Sequence, residues 1–151
     1  MTAVLALAGC TPTTPAGPSE AAATPAATAS TTTTPSAPDA VPALLPSGSA
    51  ADNLPLFAEV VRWVWAGPDQ VSGRAYVDAL VAAGFDKATM QVTPDDTTIG
   101  NPAESIEFSV RWGDDCLVGQ VGPSVGDPVS TVLPGLSTGA CLIGQTRTID
   151  W

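Results

Sequence analysis

Ser105-Ile-Glu-Phe-Ser-Val-Arg-Trp-Gly-Asp-Asp-Cys-Leu-Val-Gly-Gln-Val121 decides the fold. Ile106, Phe108, Val110 and Trp112 alternate with Ser105, Glu107, Ser109 and Arg111, the period of a strand with one buried face. Gly113-Asp114-Asp115 is a three-residue turn signal, so Cys116–Val121 is expected to return antiparallel to the first strand.

Upstream, Met90 and Val92 alternate with Gln91 and Thr93, and a turn-rich stretch from Pro94 to Pro102 follows. Further back the period changes to that of a helix. In Leu54–Trp65, Phe57, Val60, Val61 and Val64 recur at three- and four-residue spacing and predict a core-facing helix. Leu56 and Trp63 fall on one flank, Trp65 on the other, and Glu59 and Arg62 on the wet side. Trp63 and Trp65 point apart, because residues two positions apart lie about 200° apart around a helix. Past Gly67-Pro68, Ser72 is placed to cap a second helix with Tyr76, Val77, Leu80 and Val81 inward and a left-handed Gly84 at its end. Downstream, Asp127-Pro128 reads as an N-cap and first-position proline opening one or two helical turns that stop at Pro134-Gly135. Cys141–Trp151 reads as a last strand. The expected architecture is α+β: an N-terminal helical hairpin on one face of an antiparallel sheet of about four strands.

Cys116-Leu-Val-Gly-Gln120 and Cys141-Leu-Ile-Gly-Gln145 share a pattern, which suggests neighbouring strands. In an exported protein these two cysteines are expected to form a disulfide. Exchange catalysts favour Cys-X-X-Cys at a helix start, so the bond is read as structural.

The rest of the chain is different material. Met1–Cys10 is an apolar run ending in Leu7-Ala8-Gly9-Cys10, far shorter than the roughly 20 residues that span a bilayer. Small residues before a cysteine look like the lipobox of bacterial lipoproteins, with Cys10 acylated and anchored in the membrane. No positively charged segment precedes the run, so the expected true start lies upstream. Residues 11–50 are almost all Thr, Pro, Ala and Ser, hold eight of the fifteen prolines, and lack Lys, Arg and aromatics. Such a segment is expected to stay disordered as a spacer, about 35 Å long as a coil and about 120 Å extended. All eight aromatics lie at or beyond Phe57, so residues 51–151 are expected to form a small extracytoplasmic domain.

The chain of 151 residues has 15 acidic and 5 basic side chains and no His, a net charge of −10. That charge argues against nucleic acid, and the missing His removes the commonest general base and metal ligand. The acids Asp95-Asp96, Glu104, Glu107, Asp114-Asp115, Asp127 and Asp150 follow no calcium-loop pattern. Read as turn and surface residues, they leave no metal or cofactor and no catalytic residue expected. Four Trp against one Tyr is a sharper feature. Trp63, Trp112 and Trp151 are expected to fill the core of a small domain and Trp65 to be partly exposed, with Trp65 and Trp63 as the candidate interaction surface.

Ala83-Gly-Phe-Asp-Lys87, Met90-Gln-Val-Thr93, Ser105–Gly113, Cys116–Gly122, Cys141–Gly144 and Thr148–Trp151 together resemble a family of uncharacterised lipoproteins of high-GC Gram-positive (actinobacterial) bacteria, defined by a domain of unknown function. The resemblance covers about half the chain. It implies export, lipidation and a two-cysteine domain, and no activity. The expectation is a lipoprotein on the outer face of the cell membrane, non-enzymatic, binding an envelope protein or glycan. A carboxylate-dependent hydrolase or carbohydrate-active enzyme is the alternative, and a purely structural envelope protein the third reading.

Overall fold

A computed structural model describes residues 41–151; the expected lipobox with Cys10 and the expected linker up to residue 40 lie outside the described residues. The elements are helix α1 (Ala50–Trp65), helix α2 (Gly73–Ala82), and strands β1 (Met90–Val92), β2 (Ile106–Trp112), β3 (Asp115–Val121) and β4 (Val129–Pro134). The strands form one antiparallel sheet in the order β1-β2-β3-β4. Both helices pack on one face, α1 over β3 and β4, α2 over β1 and β2. This is the expected α+β architecture.

The helix α1 starts a turn earlier than its apolar pattern suggests. Ser49 and Asp52 form a capping box: the Ser49 hydroxyl accepts from the Asp52 N–H, and the Asp52 carboxylate accepts from the Ser49 N–H. The Ser49 hydroxyl and N–H bonds hold the Asp52 carboxyl below its ordinary range. Pro55 lies within the helix at an exposed position and has no N–H to offer the Ala51 carbonyl. The domain boundary expected at Ala51 therefore falls too late. Leu44 packs on the core, Ala50 is buried, and buried Asn53 bonds the Leu45 N–H and the Leu45 and Ser49 carbonyls at 2.8–2.9 Å. A Thr/Pro/Ala/Ser composition hid this because the tie is made by one asparagine on the far side of the boundary.

At α2 the expected cap comes from elsewhere. Ser72 precedes the helix without a side-chain cap, and Asp95, 22 residues on, accepts the Gly73 N–H at 2.9 Å. The C-terminus behaves as expected: Gly84 has φ 102°, its N–H bonds Val81 O, and the Phe85 N–H bonds Leu80 O, a Schellman ending that turns Phe85 into the core. Val81, expected inward, is exposed, and Val60 is half-buried. The core arc is narrower than the run of valines suggests, because each helix meets the sheet along one stripe.

The core centres on β2. Phe108 stacks on Tyr76 with centroids 4.5 Å apart and meets Phe57 at 6.0 Å. Across the β2–β3 ladder it faces Gly119, where an added Cβ would sit 2.2 Å from the Phe108 ring. Only glycine gives that ring room. The sole tyrosine is fully buried, its hydroxyl donates to Gln70 O at 2.8 Å, and burial pushes its pKa up to about 12.

Two expected elements are corrected. The stretch after Asp127-Pro128 is strand β4, paired with β3 from Gln120↔Val129 to Asp115↔Pro134, and not a helical turn. The alternation of Val129, Thr131 and Leu133, together with an open β3 edge, overrides a local helix-start signal. Cys141–Trp151 is not a strand. Gly144 has φ 102°, which breaks an extended run, and β3 already has two neighbours. Instead this segment begins on the sheet face opposite the helices at Cys141–Ile143, passes the free edge of β1 at Arg147 and ends against α2 at Trp151. Gln91 Oε1 accepts from Cys141 N and Leu142 N at 2.6 and 3.2 Å, and Arg147 N donates to Val92 O at 2.9 Å.

The disulfide joins Cys116 and Cys141, with a Cα separation of 5.7 Å, and ties this crossing segment to β3. Closing a loop of 25 residues contributes about 3.5 kcal/mol in the chain-entropy model. Reduction, or Cys116→Ser, is expected to lower the melting temperature by roughly 15 °C or more in a domain of this size, as read by calorimetry. The tyrosine sets a second test. Because its folded pKa is raised, its contribution is complete below the unfolded value near 10 and is lost as pH climbs towards 12. Ultraviolet titration of the folded chain is expected to place tyrosinate formation near pH 12, and urea midpoints are expected to fall between pH 10 and 12.

Candidate functional site

Helix α1 carries its two tryptophans to different places. Trp63 is 72% exposed, although a core position is the expected one for it. It stands at the rim of a cleft of about 550 Å³ between the end of α1 and α2. Ala75, Ala79 and Ala82 leave the space open, Val64 forms part of the lining, and Gly67-Pro68-Asp69 closes one end. Trp65 is half-buried on the opposite flank, beside Ala58, Arg62 and Asp127, at the β4 side of α1. The two candidate residues therefore do not share a surface, as the 200° offset requires.

Trp112 is half-buried, edge-on to Phe85 at 6.0 Å, and its indole N–H donates to Gly48 O at 2.7 Å. It is a clamp between the core and the chain before α1. Trp151 is not in the core either. Its indole N–H donates to Asp78 at 2.8 Å, and the side-chain cations of Arg147, Arg74 and Lys87 lie 4.9, 5.2 and 5.3 Å from its ring. Three of the five basic residues of the chain surround this one indole. Cation–π attraction of this kind suits a tryptophan that is half in water.

Several acids have structural work. Asp78 holds Trp151 and pairs with Arg74, Asp95 caps α2 and pairs with Arg147 at 3.3 Å, and Asp52 caps α1. Glu107 is half-buried on the outer sheet face beside Gln120, whereas Glu104 is exposed before the strand, so the two do not converge. Among the described residues, no group of three or more His, Cys, Asp or Glu lies close enough to hold a metal ion.

The outer sheet face holds a second cleft, of about 420 Å³, which the sequence reading missed. Val118, Val129, Thr131 and Leu133 line it, with Ile143 of the crossing segment, which is 83% exposed. Prolines at 128 and 134 bracketing a Val/Thr alternation were the available signal for it.

Exposure separates the tryptophans energetically. Trp63→Ala is expected to change stability by less than about 0.5 kcal/mol, while Trp112→Ala, losing apolar burial and a hydrogen bond, is expected to cost about 2–3 kcal/mol. Chemical denaturation of the two variants checks this.

A family model described as Domain of unknown function (DUF6993) matches residues 61–145, from α1 through the crossing segment. No curated protein and no solved structure matches the chain.

Proposed function

We propose that this chain, which belongs to the DUF6993 family, is a lipoprotein anchored through Cys10 to the outer face of the membrane, and that its domain is a non-enzymatic binding module. The observation that carries the binding role is Trp63: a large aromatic left 72% exposed at the rim of an apolar cleft. Exposed indoles of this kind gain most when a partner covers them, which is why tryptophan is prominent among interface anchors. Trp63 has an alanine-lined hollow beside it, so an inserted side chain or the apolar face of a sugar ring would meet a prepared surface. Leu7-Ala8-Gly9-Cys10 supports the anchor, and the Pro-rich residues 11–40 support a tether between anchor and domain. No helix among the described residues is long and apolar enough to cross a membrane.

Two measurements in the native host test this reading. Metabolic labelling with an alkyne fatty acid is expected to mark the wild type and to leave Cys10→Ala unmarked; equal labelling of both rejects the anchor. A photo-crosslinking amino acid at Trp63 is expected to capture a discrete envelope partner that the same probe at Ile99, exposed elsewhere on the domain, does not. Identical adducts at both positions, or none at either, reject the Trp63 surface.

A further inference from the structure

The outer edge of β4 has no hydrogen-bonded neighbour among the described residues. Such an edge invites pairing, and proteins defend it with short length, charge, bulges or proline. Here Pro128 and Pro134 stand at the two ends, and Val129-Ser-Thr-Val-Leu133 between them carries no charge in a chain of net charge −10.

We propose that β4 is the seam of a two-fold dimer, in which a second copy of this chain pairs antiparallel with it to make one eight-stranded sheet. The inference concerns the edge beside Trp65, and it stands independently of the Trp63 surface and of the lipid anchor.

Three observations select a second copy. The first is the hydrogen-bond phase. Gly135 N donates to Asp114 O at 2.8 Å, in register with the β3–β4 ladder. Val129, Thr131 and Leu133 therefore turn their peptide groups towards β3, while residues 128, 130, 132 and 134 turn theirs outward. Two of those four are prolines, with no N–H to offer. The outward donors are Ser130 and Val132 alone. In a pair centred on Thr131, Ser130 exchanges both bonds with Val132 of the second copy, and Val132 does so with Ser130. Every outward donor is then satisfied, and the prolines oppose each other where no donor is needed.

The second observation is side-chain complementarity in that same register. Val129 and Leu133, both 46% exposed on the outer face, come opposite each other across the seam, and Thr131 meets Thr131. Shifting the register by one pair sets one apolar residue against Thr131 and the other against Gly135 in one direction or against Asp127 in the other. Cross-strand apolar pairs are the unit from which sheets gain stability.

The third observation is the spacing of the helices. α1 contacts β3 and β4 about equally, and α2 contacts β2 and β1 likewise, so each sits over a seam between strands, two strands apart. Two strand spacings are about 9.6 Å, a normal distance between packed helices. Across a β4 seam the two α1 helices would lie two strand spacings apart again. The space they need exists as a cleft of about 560 Å³ flanked by Ala58, Arg62, Trp65 and Ser130. A second copy continues both layers with their existing period, whereas a lone extended peptide would leave the cleft beside α1 unfilled.

The test uses the full-length chain carrying Cys10→Ser, so that an introduced cysteine is the only free thiol. Thr131→Cys lies on the two-fold axis and is expected to form a disulfide dimer on a non-reducing gel, while Thr98→Cys, exposed in the loop before β2, is expected to stay monomeric. Sedimentation equilibrium is expected to show a dimer, with association weakened at least tenfold by Leu133→Lys and by Ser130→Pro, the latter removing an outward donor without touching the β3 ladder. Circular dichroism verifies that each variant is folded; should Ser130→Pro unfold, Leu133→Lys and the cysteine pair still decide. A monomer at concentrations of about 100 µM, equal crosslinking at positions 131 and 98, or a dimer indifferent to Leu133→Lys overturns the proposal. So does a monomer that binds a Val/Thr-rich extended peptide at this edge, because that outcome assigns the edge to a different partner.

Discussion

The ring of Phe108 lies against the bare backbone of Gly119, and the rest of the domain is arranged around that contact. A side chain at residue 119 would push the ring off the sheet. With hydrogen there, the ring sits low enough for Tyr76 of α2 to stack on it and for Phe57 of α1 to close the other side. Both helices are thus seated on one aromatic residue of one strand. Tyr76 is held in turn by its hydroxyl on Gln70 O, just ahead of α2, so the stack also sets where the second helix begins.

A 111-residue body with so few charges has to secure its periphery by other means. The segment after β4 supplies it. The disulfide pins Cys141 to β3, the Gln91 side chain holds two successive N–H groups, and Arg147 bonds both Val92 and Asp95. Asp95 also caps α2, so one carboxylate links the crossing segment to the helical layer. Trp151 completes the circuit against Asp78 on α2. These bonds give Asp78 and Asp95 structural roles. The Trp63 cleft and the uncharged edge of β4 lie outside this network.

The parts legible in the sequence were those with a local period. The alternation in β2 and the Gly113-Asp114-Asp115 turn marked a hairpin whose partners are adjacent in the chain. The helices were legible for the same reason, and the Gly84 ending came from a conformation that glycine alone adopts readily. The cysteine pair was legible from counting and from the expectation of export. What failed did so where a local signal and a distant partner disagreed. Asp127-Pro128 marks a helix start in isolation, but the open edge of β3 captured the residues that follow it. Cys141-Leu-Ile resembles the start of β3, but Gly144 turns the backbone away and no sheet position remained beside it.

The sequence by itself determined the periods, and hence two helices on a hairpin-based sheet, one disulfide, an acidic surface and an N-terminal region unlike the domain. These are properties of residue order and composition. Only the tertiary structure decided that residues 41–50 belong to the folded body, that Trp63 faces water while Trp65 lies by β4, and that the last residues form a strap around the free edge of β1. Each of these depends on which surface arrives from a distant part of the chain to cover a given side chain. A hydrophobic period states that a face will be buried. It does not state how wide the covering element will be, and for α1 the sheet covers a stripe that stops short of Trp63.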